Sequence, residues 1–73
     1  MAKKFEAAVY NQQVRDAIQQ LEKHPNYSND WADLHFIEIK ANDKTLARKM
    51  IEEKYPKAKG FVIDGIHEVP EFD

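Results

Sequence analysis

The sequence contains no cysteine, only two glycines, three prolines and a single serine, Ser28, in 73 residues. Without cysteine there is no disulfide framework, no thiolate metal site and no thiol nucleophile. Gly60 and Gly65 are too few and wrongly placed for a phosphate-cradling loop between a strand and a helix. Ser28 has no glycine neighbours, so no serine elbow is present. Neither an H-E-x-x-H pair nor an EF-hand calcium loop occurs. No apolar run approaches the ~18 residues that a bilayer span requires. The start, Met1-Ala2-Lys3-Lys4-Phe5-Glu6, has no apolar stretch behind its lysines and does not read as a secretory signal. Together these absences suggest a cytoplasmic protein with no cofactor and no bound metal.

What is present suits one small folded domain, residues 1–73, ending in an acidic tail at 68–73. Apolar residues make up 42% and charged residues 33%, which is globular rather than disordered. A chain this short buries only roughly 60% of its unfolded surface, so every large apolar group or a second copy must contribute to the core. The net charge of −2 argues against non-specific nucleic-acid binding. It is unevenly spread: Lys40 to Lys59 holds seven basic and three acidic residues, whereas Asp64 to Asp73 holds four acidic and no basic ones. A solvated helix face and tail explain this, and so would pairing of the positive region with a second copy's negative tail.

The phase of apolar residues breaks at Asn11. Phe5, Ala7 and Val9 alternate as in a strand over Lys4 to Tyr10. Val14, Ala17, Ile18 and Leu21 then recur at helical spacing, so Asn11 caps a helix running to about Lys23, stopped by Pro25. A polar connection, Pro25 to Ala32, carries Tyr27 and Trp31. A second strand, Asp33 to Ala41, points Ile37, Ile39, Ala41 and His35 one way and Leu34, Phe36, Glu38 and Lys40 the other. A second helix follows from about Asp43 to Tyr55, apolar at Leu46, Ala47, Met50, Ile51 and Tyr55. A third strand runs from Phe61 to about His67, with Phe61 and Ile63 on one face and Val62 and Ile66 on the other. The expected fold is α/β (α+β): a two-layer β-α-β-α-β sandwich, with a three-stranded sheet carrying both helices on one face.

Two such helices leave sheet area uncovered. Leu34 and Phe36 need a second cover, from the tail residues Val69 and Phe72, from the aromatic loop, or from a homodimer partner. Tyr27 and Trp31 in a polar loop offer contact area of the kind that anchors interfaces; the alternative is that Trp31 folds back and plugs the sheet. Asp30, Asp33 and His35, with His67 on a neighbouring strand, are the one constellation that could bind a divalent metal or perform acid–base chemistry. Asp30 in a turn and Asp33 at a strand start are also ordinary structural choices. Tyr10, Phe36 and Phe61 on strands suit base stacking, but suit a core better. A basic face on the second helix (Lys44, Arg48, Lys49, Lys54) is interrupted by Glu52 and Glu53.

Tyr10-Asn11, Val14-Arg15, His24, Trp31-Ala32-Asp33, Tyr55-Pro56 and Gly60-Phe61-Val62-Ile63 resemble a small family of uncharacterised proteins from marine bacteria and their phages. The resemblance spans most of the chain and implies a prokaryotic or phage setting, with no activity attached. The expected function is a small intracellular, non-enzymatic interaction or regulatory module. It would be homodimeric, with another protein as a further partner, and bind through Tyr27, Asp30, Trp31, Asp33 and His35. The alternatives are a metal-dependent or acid–base enzyme using the His/Asp cluster, and a nucleic-acid-binding accessory protein.

Overall fold

Strand β1, Lys3–Asn11, alternates buried and half-exposed residues along its whole length. Phe5, Ala7, Val9 and Asn11 point into the core, and Lys4, Glu6, Ala8 and Tyr10 point away. The computed structural model, which describes residues 2–70, places β1 at the centre of a three-stranded sheet of order β2-β1-β3. Strand β2, His35–Ala41, and strand β3, Phe61–Glu68, both run antiparallel to β1. Helix α1, Gln12–Gln19, leads towards β2, and helix α2, Lys44–Lys54, carries the chain across the sheet from one edge to the other. The fold is a small α+β structure.

Helix α2 covers one sheet face. Asp43 caps it, its carboxylate accepting from the Leu46 amide at 2.8 Å. Ala47 and Ile51 are fully buried against Phe5, Val9, Ile39, Phe61 and Ile66. The small Ala47 side chain lets the helix approach the sheet, and burial of Ile51 contributes on the order of 2 kcal/mol.

Asn11 ties three elements together. It has no exposed surface. Its Oδ1 accepts from the Val14 amide at 3.1 Å, capping α1, and its Nδ2 donates to the Lys59 carbonyl at 3.1 Å. The Gln12 amide donates to the Gly60 carbonyl at 2.7 Å beside it. Gly60 has φ +96°, and a Cβ there would stand 2.6 Å from Gln13 Cγ and 2.8 Å from Asn11 Oδ1. Only glycine fits, on both counts.

Three expectations need correction. The first helix does not reach Lys23. It ends at Gln19, closed by bonds from the Leu21 amide to the Ile18 carbonyl and from the Glu22 amide to the Ala17 carbonyl. Leu21 takes the left-handed conformation (φ 58°) usually given to glycine, so it leaves the apolar stripe and is 95% exposed. Secondly, β2 starts at His35 rather than Asp33. Finally, Ile66 does not share a face with Val62. The register slips between Ala8↔Gly65 and Val9↔Ile63, leaving Asp64 as an extra residue. This bulge turns Ile66 into the core with Phe61 and Ile63. Of the acidic tail, Phe72 lies outside the described residues, so its role as a sheet cover does too.

Two substitutions check these assignments. Asn11→Asp keeps the cap acceptor but sets a carboxylate against the Lys59 carbonyl. It should lower urea-unfolding stability by about 2 kcal/mol, and wild-type stability would mean that the Lys59 bond contributes nothing. Leu21→Gly removes the left-handed penalty without losing a buried contact and should raise stability by roughly 0.5–1 kcal/mol.

Candidate functional site

The loop residues singled out from sequence gather around one ring. Asn29–Ala32 form a short 3-10 turn, within which the Trp31 amide bonds the Ser28 carbonyl at 3.2 Å. Trp31 stacks on the His35 imidazole, with centroids 4.0 Å apart and planes 19° from parallel. Its edge contact with Phe61 is at 5.2 Å, and Tyr27 and Tyr55 meet Phe61 at 5.1 Å and 5.3 Å. Phe61 is thus ringed by three aromatics that close the core where β1 and β3 approach α1. Trp31 and Tyr27 are half-buried and packed on the core. Trp31 takes the plug position.

The His/Asp constellation does not converge. The His35 Nε2 lies 3.0 Å from the backbone carbonyl of Asp30; a carbonyl only accepts, so Nε2 carries the proton and donates. His35 lies on the core side of β2, opposite Val9. His67 lies on the other side of the sheet, beyond the intervening β1, 3.5 Å from the Glu6 carboxylate. Among the described residues no three His, Cys, Asp or Glu side chains come together as metal ligands. Asp30 and Asp33 are exposed at the two ends of the turn.

The other sheet face is open, and its residues form rows across the strands. Lys4 pairs with Lys40. Glu6 sits between Glu38 and His67, and Ala8 between Phe36 and Gly65. Tyr10 pairs with Val62. Phe36 is 61% exposed, and Leu34, next to β2, is 40% exposed. A Cβ added to Gly65 would meet nothing within 4 Å. The like-charged neighbours are relieved locally, by Lys4–Glu38 at 3.4 Å and by the Glu6–His67 contact. Of Tyr10, Phe36 and Phe61, only Phe36 offers a free ring: Phe61 is buried, and Arg15 lies over Tyr10, 3.5 Å from its centroid.

Arg15 was not singled out from sequence. Its Nε donates to the Ala32 carbonyl at 2.7 Å, so the aromatic loop holds the guanidinium over the Tyr10 ring at the rim of this face. The remaining N–H donors of the fork make no ion pair or hydrogen bond among the described residues. A cation on an aromatic face beside a loop carbonyl is an ordered site for a carboxylate. The available signal was the strand-to-helix break at Asn11, which brings the fifth residue after Tyr10 back over the Tyr10 ring.

The basic residues of α2 lie on the layer opposite this face, so phosphate contacts there could not act together with stacking on Phe36. A half-open cavity of about 500 Å³ between α2 and β3 is lined by Arg48, Glu52, Tyr55, Phe61 and Ile63. Arg48 and Glu52, one turn apart on α2, partly neutralise each other at its rim, at 3.9 Å. No helix among the described residues is long and apolar enough to cross a membrane. Comparison with family models, curated proteins and solved structures gives no match to this chain.

Trp31→Ala should lower stability by about 3 kcal/mol, since it strips the stacking partner from His35 and the edge contact from Phe61. A thermal midpoint unchanged from wild type would show that the plug contributes nothing to the core.

Proposed function

We propose that this chain is a small, cytoplasmic, non-enzymatic protein-interaction or regulatory module that works as a homodimer, using the open sheet face as its docking surface. One observation carries the reading: among the described residues Phe36 stands 61% exposed on the sheet face away from α2. Phe36 lies on the edge strand β2 with Leu34 just beyond it, and adjoining exposed apolar groups on a sheet are characteristic of surfaces that become buried on association. The dimensions agree. The radius of gyration is 13.9 Å, against about 11 Å for a compact chain of this length. Among the described residues the protomer is an elongated plate, with principal extents of 46, 23 and 15 Å, which leaves much of its sheet near the surface.

The loop residues Tyr27, Asp30, Trp31, Asp33 and His35 serve this surface from behind. Trp31 and Tyr27 lock the loop onto Phe61, the Asp30 carbonyl fixes His35, and the same loop presents the Ala32 carbonyl to Arg15. The binding role expected of these residues becomes one of positioning, while Phe36 and Leu34 supply contact area.

Analytical ultracentrifugation tests the reading. The wild-type protein should show a mass that doubles between low micromolar and near-millimolar concentration. Phe36→Ser should hold it at protomer mass while leaving the unfolding midpoint within a degree or two, because Phe36 is mostly in solvent. A wild-type protomer at 1 mM would overturn the proposal.

A further inference from the structure

The open face carries charges in an order that selects one arrangement of two copies. Along β1 the rows read Lys4, Glu6, Ala8, Tyr10, with Arg15 lying on Tyr10. Glu6 and Tyr10 stand two residues on either side of Ala8, so each is about 7 Å from the Ala8 row. Face-to-face packing of identical sheets needs a two-fold axis lying in the interface. An axis running along the strands would stack Lys4 on Lys4 and Glu6 on Glu6 of the other copy. An axis running across the strands at Ala8 reverses the rows. Glu6 of each copy then faces the Arg15 level of the other, and Phe36 meets Phe36.

We infer that Arg15 is the specificity determinant of the homodimer: its loop-anchored guanidinium takes the Glu6 carboxylate of a second copy, in two reciprocal ion pairs about the Ala8 row. This rests on the reading of the open face as a self-docking surface. Three features prepare it. Arg15 is already ordered by Tyr10 and the Ala32 carbonyl, which lowers the entropy lost on pairing. Stacked sheets lie ~10 Å apart, a gap that an arginine and a glutamate span together. Ala8 and Gly65 are small, so the backbones can approach at the axis. The face offers only three strands, and interfaces much below ~800 Å² per partner are characteristically weak. The dimer is therefore transient and sensitive to a single charge.

The test uses two full-length variants, Arg15→Glu and Glu6→Arg, each checked for native circular dichroism. In either homodimer both reciprocal pairs become like-charged, and self-association should weaken at least tenfold. Mixing the two variants pairs Glu6 with Arg15 in one direction and the introduced Arg with the introduced Glu in the other. The mixture should form heterodimers at an affinity within about threefold of wild type, weakening as salt rises from 50 to 500 mM. If Phe36→Ser abolishes the dimer but the charge variants do not alter it, the face is right and the Arg15–Glu6 assignment is wrong. If wild type never dimerises, both fail. Should Arg15→Glu not fold, Arg15→Gln, Glu6→Gln and their combination decide. An interacting pair requires the double variant to dimerise no more weakly than either single one, and additive losses would overturn the inference.

Discussion

The Asn11 carboxamide is the constraint on which the remainder of the molecule depends. One buried amide ends β1, caps α1 and fastens the chain just before β3. Its two functions have opposite chemical demands, an acceptor for the Val14 amide and a donor for the Lys59 carbonyl, and the asparagine amide meets them with separate atoms, Oδ1 and Nδ2. The contact links positions 48 residues apart, so it ties the start of the chain to the entry of its last strand. The Gly60 backbone fills the space beside it, which explains a left-handed glycine where a side chain would strike Asn11 and Gln13. With that knot fixed, Phe61 enters the core at a set depth and the aromatics from the loop and from the end of α2 close around it.

This arrangement concentrates the apolar material on one side. Helix α2, the Trp31 plug and the Tyr27 and Tyr55 rings all serve the same sheet face. The other face is left with a mixture of charge and apolar surface, and its like-charged neighbours are relieved by a diagonal pair, Lys4–Glu38, and by His67 directly opposite Glu6. Sheet faces destined for permanent solvent normally carry polar side chains and few aromatics. Phe36, Leu34 and Val62 depart from that pattern at the end of the face where Arg15 is held, and the acidic residues occupy the row on the other side. The segregation creates a direction along the strands, which a uniformly polar face would not have.

Much of the architecture was legible in the sequence because it rests on local patterns. The phase break at Asn11, the alternation in β2 and the cap at Asp43 each act over a few residues, and the order and type of the elements follow those patterns, while the end of α1 and the start of β2 do not. Leu21 misled because helical spacing marked it as apolar stripe while the chain was already turning out of the helix. Ile66 misled because a period of two fails across a bulge; Asp64-Gly65 inside a strand was the available sign. The uncovered flank of β2 was legible from Leu34 and Phe36 directly. Arg15 was not, since its position depends on the loop carbonyl at Ala32, a contact across 17 residues that no periodicity reports.

Strand order explains why the His/Asp density in the sequence does not gather into one cluster among the described residues. Had β2 and β3 been adjacent, His35 and His67 could have shared an edge. With β1 inserted between them, and with the bulge governing which side β3 presents, the two imidazoles stand on opposite faces of the sheet. Each meets a separate demand there. His35 holds a loop carbonyl and the Trp31 ring, and His67 partners Glu6. General acid–base work needs two titratable groups converging on one concave site. Here the central strand separates the two histidines, so this pair does not converge on one site, and each imidazole is committed to a local structural contact instead.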